Sequence, residues 1–159
     1  MPFPLGKATR DAYGETLGAL GAENRDIVVL DGDLSKSTKS ADFGKKFPER
    51  FFNMGIQEAN LVGTAAGLAA SGKIPFASSF ATFIMCKGYD QLRTSAAFPE
   101  FNVKIVGSHG GISIGEDGPS QMAIEDFALA TRLPIFTVVV PSFVHACRAL
   151  TRQIAADIA

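Results

Sequence analysis

The 159 residues fall in the size range of one domain, and 47% hydrophobic against 19% charged residues can bury a sizeable core, which excludes general disorder. A formal net charge of -1 gives no global electrostatic ground for a nucleic-acid or anionic-membrane partner, and no uncharged apolar run reaches membrane-spanning length. Two cysteines without CxxC spacing and two histidines exclude a disulfide scaffold and a histidine-rich metal site built from this chain alone.

In chain order, MPFPLGKATRD has no apolar core of signal-peptide length, so a soluble cytoplasmic protein is expected. Residues 8–20 have helical character, with Ala12, Leu17 and Leu20 along one side. Residues 27–30 (IVVL) are a short β-branched run suited to a strand buried on both faces. Residues 36–50 hold five basic residues against two acidic ones, which reads as a solvated loop and helix surface. A second strand is expected over 51–54, then a helix over 58–70 rich in Ala and Gly, closed by Gly72 at the C′ position. The small residues Gly63 and Gly67 give this helix a thin profile suited to close backbone packing. Strands over 74–77, 103–106 and 136–140 alternate with helices over 83–97, 122–131 and from 144 to the end of the chain. The alternation predicts one α/β domain over 1–159, with a parallel sheet of about five or six strands and helices on both faces. A crossover helix normally leads into another strand, so the domain is expected to be cut before its last one.

Parallel sheets bind ligands beyond the carboxyl ends of their strands. DGDLSKST, GIQEAN, SSF and GSHGGISIGEDGPS are the segments expected there, with Thr9 and Arg10 starting the first helix. Two roles suit Glu58. It can be a first-turn acid favoured by the helix dipole, worth roughly 0.3–1 kcal/mol, or a carboxyl set against a buried heterocycle. On spacing alone the first is the simpler account. His109, at a strand end before two glycines, suits a structural or a functional role. Phe80 and Phe83, three apart, suit core packing, and GEDGP suits a plain tight turn. Neither GxxxxGK[ST] nor GxGxxG occurs.

The segments KATRDAYGETLGALG, DGDLSKST, RFFNMGIQEANLVGTAAGLAASGKIPFASSFATF, YDQLRTSAA and GSHGGISIGEDGPSQMAIEDFAL together resemble the pyrimidine-binding domain of transketolases, in the family's order and spacing. The resemblance covers nearly the whole chain, and GSHGGISIGEDGPSQMAIED resembles the animal-type branch. It implies transfer of a two-carbon ketol unit from a ketose phosphate to an aldose phosphate, with thiamine diphosphate and Mg2+.

By the same resemblance Glu58 and His109 are the catalytic candidates. Glu58 matches the glutamate at N1′ of the cofactor's aminopyrimidine, where a desolvated carboxyl favours the imino tautomer that can take a proton from thiazolium C2. Phe80 and Phe83 match aromatics packed on that ring, and Asp33 an aspartate near the cofactor with a more structural role. Arg10, Ser37 and His109 match residues at the sugar phosphate or the substrate's far end. Asp117 matches an aspartate bonded to a substrate hydroxyl, and Gln121 stands where many microbial members have histidine. Cys86 replaces a third aromatic of the pocket, and the basic stretch after Ser37 gains a role in steering anionic sugars.

The resemblance implies a partner for the diphosphate and Mg2+, either a diphosphate-binding domain or an N-terminal transketolase subunit, in a homo-oligomer or heterotetramer. Alone, the chain is expected to be inactive. Deoxyxylulose phosphate synthase and the beta subunits of 2-oxoacid dehydrogenases are alternatives within the fold. A non-catalytic subunit or binding module is the alternative of another class.

Overall fold

The computed structural model describes residues 6–157. Helix α1 (Thr9–Glu23) leads to β1 (Ile27–Asp31), the short helices α2 (Ser35–Thr38) and α3 (Ala41–Lys46), and β2 (Phe51–Asn53). Helix α4 (Glu58–Ala70), β3 (Ile74–Phe80), α5 (Ala81–Lys87) and α6 (Tyr89–Gln91), which widens into π-helix over Leu92–Ala97, precede β4 (Lys104–Ser108). Helices α7 (Asp126–Ala130) and α8 (Val144–Ala156) complete the described residues.

The four strands form a parallel sheet in the order β2-β1-β3-β4. Alternation of side chains across the sheet explains why IVVL is apolar throughout. Val28 and Leu30, with Ala77, meet Leu61, Val62 and Ala65 of α4 and Ile84 of α5 on one face. Ile27, Val29 and Phe76 meet Ala12, Leu17 and Leu20 of α1, Phe43 of α3 and Cys147 of α8 on the other. Each fully buried Val, Leu, Ile or Phe contributes about 1.5–3 kcal/mol relative to exposure, so both faces must be covered for the sheet to persist.

Local signals place α4 well. Its bounds are those expected, and Gly72 at φ 83 takes the left-handed conformation that closes it. The Lys73 amide donates to Leu68 O at 3.0 Å and the Gly72 amide to Ala69 O at 2.9 Å, the paired bonds of a Schellman end.

Four expectations are corrected. The sheet has four strands among the described residues, because residues 136–140 make no ladder. Val138, Val139 and Val140 are partly exposed, and a groove of about 320 Å³ lies between this run and Val103, Lys104 and Ile105 at the β4 edge. The helix expected over 122–131 shrinks to Asp126–Ala130, since Ala123 exchanges hydrogen bonds with Gly111 at 2.8 and 3.2 Å and is drawn out of helix. SSF belongs to β3 itself rather than to a loop after it. Finally, a methyl group at Gly63 or Gly67 would meet nothing within 4 Å, whereas one at Gly88 would sit 2.7 Å from Ile84 O and 3.3 Å from Glu58 O. Close approach to α4 is therefore made by the glycine that interrupts the helix expected over 83–97. The final helix ends at Ala156, and residues 158–159 of its expected extent lie outside the described residues.

Candidate functional site

Gly55 at φ 71 turns the chain after β2 and delivers Glu58 as the first residue of α4. The helix N-terminus favours a carboxylate there, but this one is only 2% exposed, unlike an ordinary surface cap. Its Oε2 accepts a hydrogen bond from Lys87 Nζ at 2.8 Å, while its Oε1 is buried without a partner among the described residues. An unpaired buried acceptor costs about 1–3 kcal/mol, and such an atom calls for a donor.

β3 ends on Phe80 and α5 begins at the next residue, so the i, i+3 spacing carries Phe83 onto the same side. The two rings stack at 5.7 Å between centroids and 22° between planes. The Lys87 ammonium lies 4.7 Å from the Phe83 centroid. On the other side the His109 ring meets Phe80 edge-on at 4.6 Å. Contacts thus run from Glu58 through Lys87, Phe83 and Phe80 to His109, across the carboxyl ends of β3 and β4.

His109 stands at φ 57, a conformation that a non-glycine residue rarely adopts. Arg10 Nη1 donates to His109 Nε2 at 3.0 Å and to the Ser37 carbonyl at 3.4 Å. Arginine only donates, so Nε2 must accept and the ring proton sits on Nδ1, which donates to Ser108 Oγ at 2.9 Å. Burial first, and then the Arg10 charge, push the His109 pKa below the ordinary histidine range, with Asp117 opposing. The sign follows. A depressed value favours folding at pH above the unfolded pKa, and this contribution is lost as pH falls through the folded one. In a proton NMR titration, His109 is expected to titrate below about 6.5, and Arg10→Ala to raise the midpoint. A midpoint at the ordinary value that ignores this substitution would contradict the tautomer assignment.

The DGDLSKST segment is shaped by its first residue, which no local pattern singles out. Asp31, fully buried, accepts from Thr38 Oγ1 and Ser40 Oγ at 2.7 Å each and from the Leu34 amide at 2.6 Å. Burial nevertheless pushes its pKa above the ordinary carboxylate value, outweighing these donors. Helix α2, so anchored, holds the Ser37 carbonyl against Arg10. A methyl at Gly14 of α1 would lie 2.7 Å from Lys39 O, so only glycine lets α1 and the end of α2 approach so closely. Tyr13 likewise carries no local mark. Its hydroxyl pairs with Ser78 Oγ at 2.9 Å inside the fold, and burial raises its pKa. Lys87 had a signal, its i, i+4 spacing from Phe83, but nothing local pointed to Glu58.

Other expected residues lie outside this contact chain. Asp33 accepts from Asn53 Nδ2 at 2.9 Å, joining the ends of β1 and β2. Asp117 and Gln121 lie on successive 3-10 turns, Gly115–Asp117 and Pro119–Gln121. Asp117 acts on His109 through its charge, and Gln121 Oε1 accepts from Ser120 Oγ at 2.5 Å. Cys86 Sγ donates to Glu125 Oε1 at 3.2 Å, tying α5 to the segment before α7. The basic stretch is largely occupied. Lys39 pairs with Asp11 at 3.1 Å and Lys45 with Asp42 at 3.2 Å, while Arg50 reaches the carbonyls of Gly21, Asn24 and Ile27. Among the described residues no group of three or more His, Cys, Asp or Glu side chains is placed to hold a metal, and no helix is long and apolar enough to cross a membrane.

The family model of the transketolase pyrimidine binding domain matches residues 6–158. A Methanocaldococcus jannaschii protein described as a transketolase C-terminal section is 48% identical over 149 residues, 94% of this chain and 47% of that protein. Human transketolase is 48% identical over 136 residues, 85% of this chain and 22% of its own length. A solved split gene transketolase, an inactive beta4 tetramer, superposes with a TM-score of 0.83 at 52% identity, over 95% of this chain and 48% of that one. The chain therefore spans about half the length of two of these relatives and less of the third.

Proposed function

The chain belongs to the transketolase pyrimidine binding domain family, and on that footing we propose that it supplies the pyrimidine half of a thiamine diphosphate site in a ketol-transferring enzyme. One observation carries the reading. Glu58 keeps a buried oxygen with no partner among the described residues, and Lys87, bonded to its other oxygen, lies against the stacked phenylalanine pair. A flat nitrogen heterocycle with a ring N–H satisfies both, so the residues present fit an aminopyrimidine.

The chain's own groups then divide the work. Glu58 holds a proton at the ring nitrogen through Oε1, and its burial keeps water from competing for that bond. Phe80 and Phe83 pack the ring and orient it. Once bound, the cofactor supplies a carbon nucleophile able to carry a two-carbon unit. The hydrogen bonds of Arg10 both use Nη1, leaving its Nη2–Nε edge for a paired contact with phosphate oxygens. His109, neutral and fixed as the Nδ1–H tautomer, stands between that phosphate and the ring as the second catalytic group. Ser37, Asp117 and Gln121 line the sugar side, and Asp33 braces the strand ends near the cofactor.

The diphosphate and Mg2+ need ligands from a partner, a diphosphate-binding domain or an N-terminal transketolase subunit, in a homo-oligomer or heterotetramer. Such an enzyme would work on sugar phosphates of pentose phosphate metabolism in the cytoplasm. The test is reconstitution with the diphosphate-binding subunit, thiamine diphosphate and Mg2+. Xylulose 5-phosphate is expected to pass its two-carbon unit to an aldose phosphate, and this chain alone is expected to pass none. Condensation of pyruvate instead would mark a deoxyxylulose phosphate synthase and overturn the reading.

A further inference from the structure

Lys87 is four residues beyond Phe83 on α5, so its side chain returns along the face that carries that ring. Its Nζ is 2.8 Å from Glu58 Oε2 and 4.7 Å from the Phe83 centroid. The two partners of this ion pair differ sharply in environment, with side-chain exposures of 47% for Lys87 and 2% for Glu58. A surface pair would count for little. Here the carboxylate is inside, and an ionised carboxyl taken from water must find a cation and donors or give up its charge. Lys87 is the one cation bonded to Glu58 among the described residues, and it binds only one oxygen.

We infer that Lys87 is a positioning residue for the proposed cofactor site: by binding Oε2 it holds the Glu58 side chain in one rotamer and turns Oε1 alone toward the ring nitrogen. This rests on the reading of Glu58 given above and adds a second group to it. The Phe83 ring, stacked on Phe80, also faces the lysine ammonium and helps hold it in place. Without the lysine, Oε2 loses its donor and the buried charge its counter-ion. The carboxyl is then free to reorient, and Oε1 is no longer held toward a ring N–H.

The experiment uses the assembled enzyme and two probes, thiamine diphosphate and its analogue with N1′ replaced by C–H, with affinities measured by calorimetry. The native protein is expected to prefer thiamine diphosphate by roughly 10–100-fold, the range for a hydrogen bond to a charged group. Lys87→Met is expected to reduce that preference to about threefold or less, mainly by weakening thiamine diphosphate binding, and Lys87→Arg to restore most of it. A merely structural lysine would weaken both probes alike. Lys87→Met keeping the native preference, or weakening both probes equally, overturns the inference while leaving the role of Glu58 intact. If the native enzyme itself shows no preference, the reading of Glu58 fails with it. Because the Lys87 side chain is half in solvent, its replacement leaves the core packing untouched.

Discussion

Glu58→Ala in the assembled enzyme is expected to lower ketol transfer by roughly 10²–10⁴-fold, the usual loss when an acid–base group is removed. The size of the effect comes from burial. At 2% exposure the carboxyl is shielded from the solvent that could otherwise take over the proton. Glu58→Gln tests the chemistry more narrowly, since the amide keeps the shape and one acceptor but cannot exchange a proton. A comparable loss is expected from both, with unfolding transitions cooperative as in the native protein. Retention of more than about a tenth of the activity in Glu58→Ala would remove the carboxyl from the mechanism.

Phe43→Ala is expected to destabilise the fold by about 3–5 kcal/mol, read as a lower denaturant midpoint with an unchanged slope. Phe43 is wholly buried on the face of the sheet that α1 covers. Its ring packs against Phe47 at 5.0 Å, and the Arg50 guanidinium lies 5.4 Å from its centroid. The pocket is too rigid to collapse. Gly21 of α1 already faces this ring so closely that a methyl there would lie 2.4 Å from it, and Arg50 is pinned by three backbone carbonyls. Truncation therefore leaves a cavity rather than a rearranged core, and cavity volume adds to the lost burial. A loss below about 1 kcal/mol would show that α3 packs more loosely than this geometry allows. Because α3 follows closely on α2, which offers Ser37 O to Arg10, the same variant should also weaken substrate binding at temperatures below its unfolding.

Much of this was legible in the chain before folding. The four strands were placed within a few residues, and α4 was placed to its ends, because two-sided apolar runs and a C′ glycine act over a handful of neighbours. The run at 136–140 misled for a related reason. Its composition suits a strand, but a strand exists only when a neighbour accepts its hydrogen bonds, and residues 136–140 pair with none of the described strands. Likewise Ala123 carries no local mark of its extended state, which its bonds to Gly111 impose.

Local pattern suffices for the α/β alternation, the parallel sheet with covered faces and the family, since period, capping and ordered motifs are properties of neighbouring residues. It also brought Glu58 to the head of α4 and Phe80 beside Phe83. The surroundings of these groups come from long-range contacts alone. Lys87 reaches Glu58 across 29 residues, and Arg10 reaches His109 across 99, which fixes the imidazole proton on Nδ1. Such pairings depend on which strand ends lie side by side, and strand order is written in packing between distant segments rather than in any local pattern.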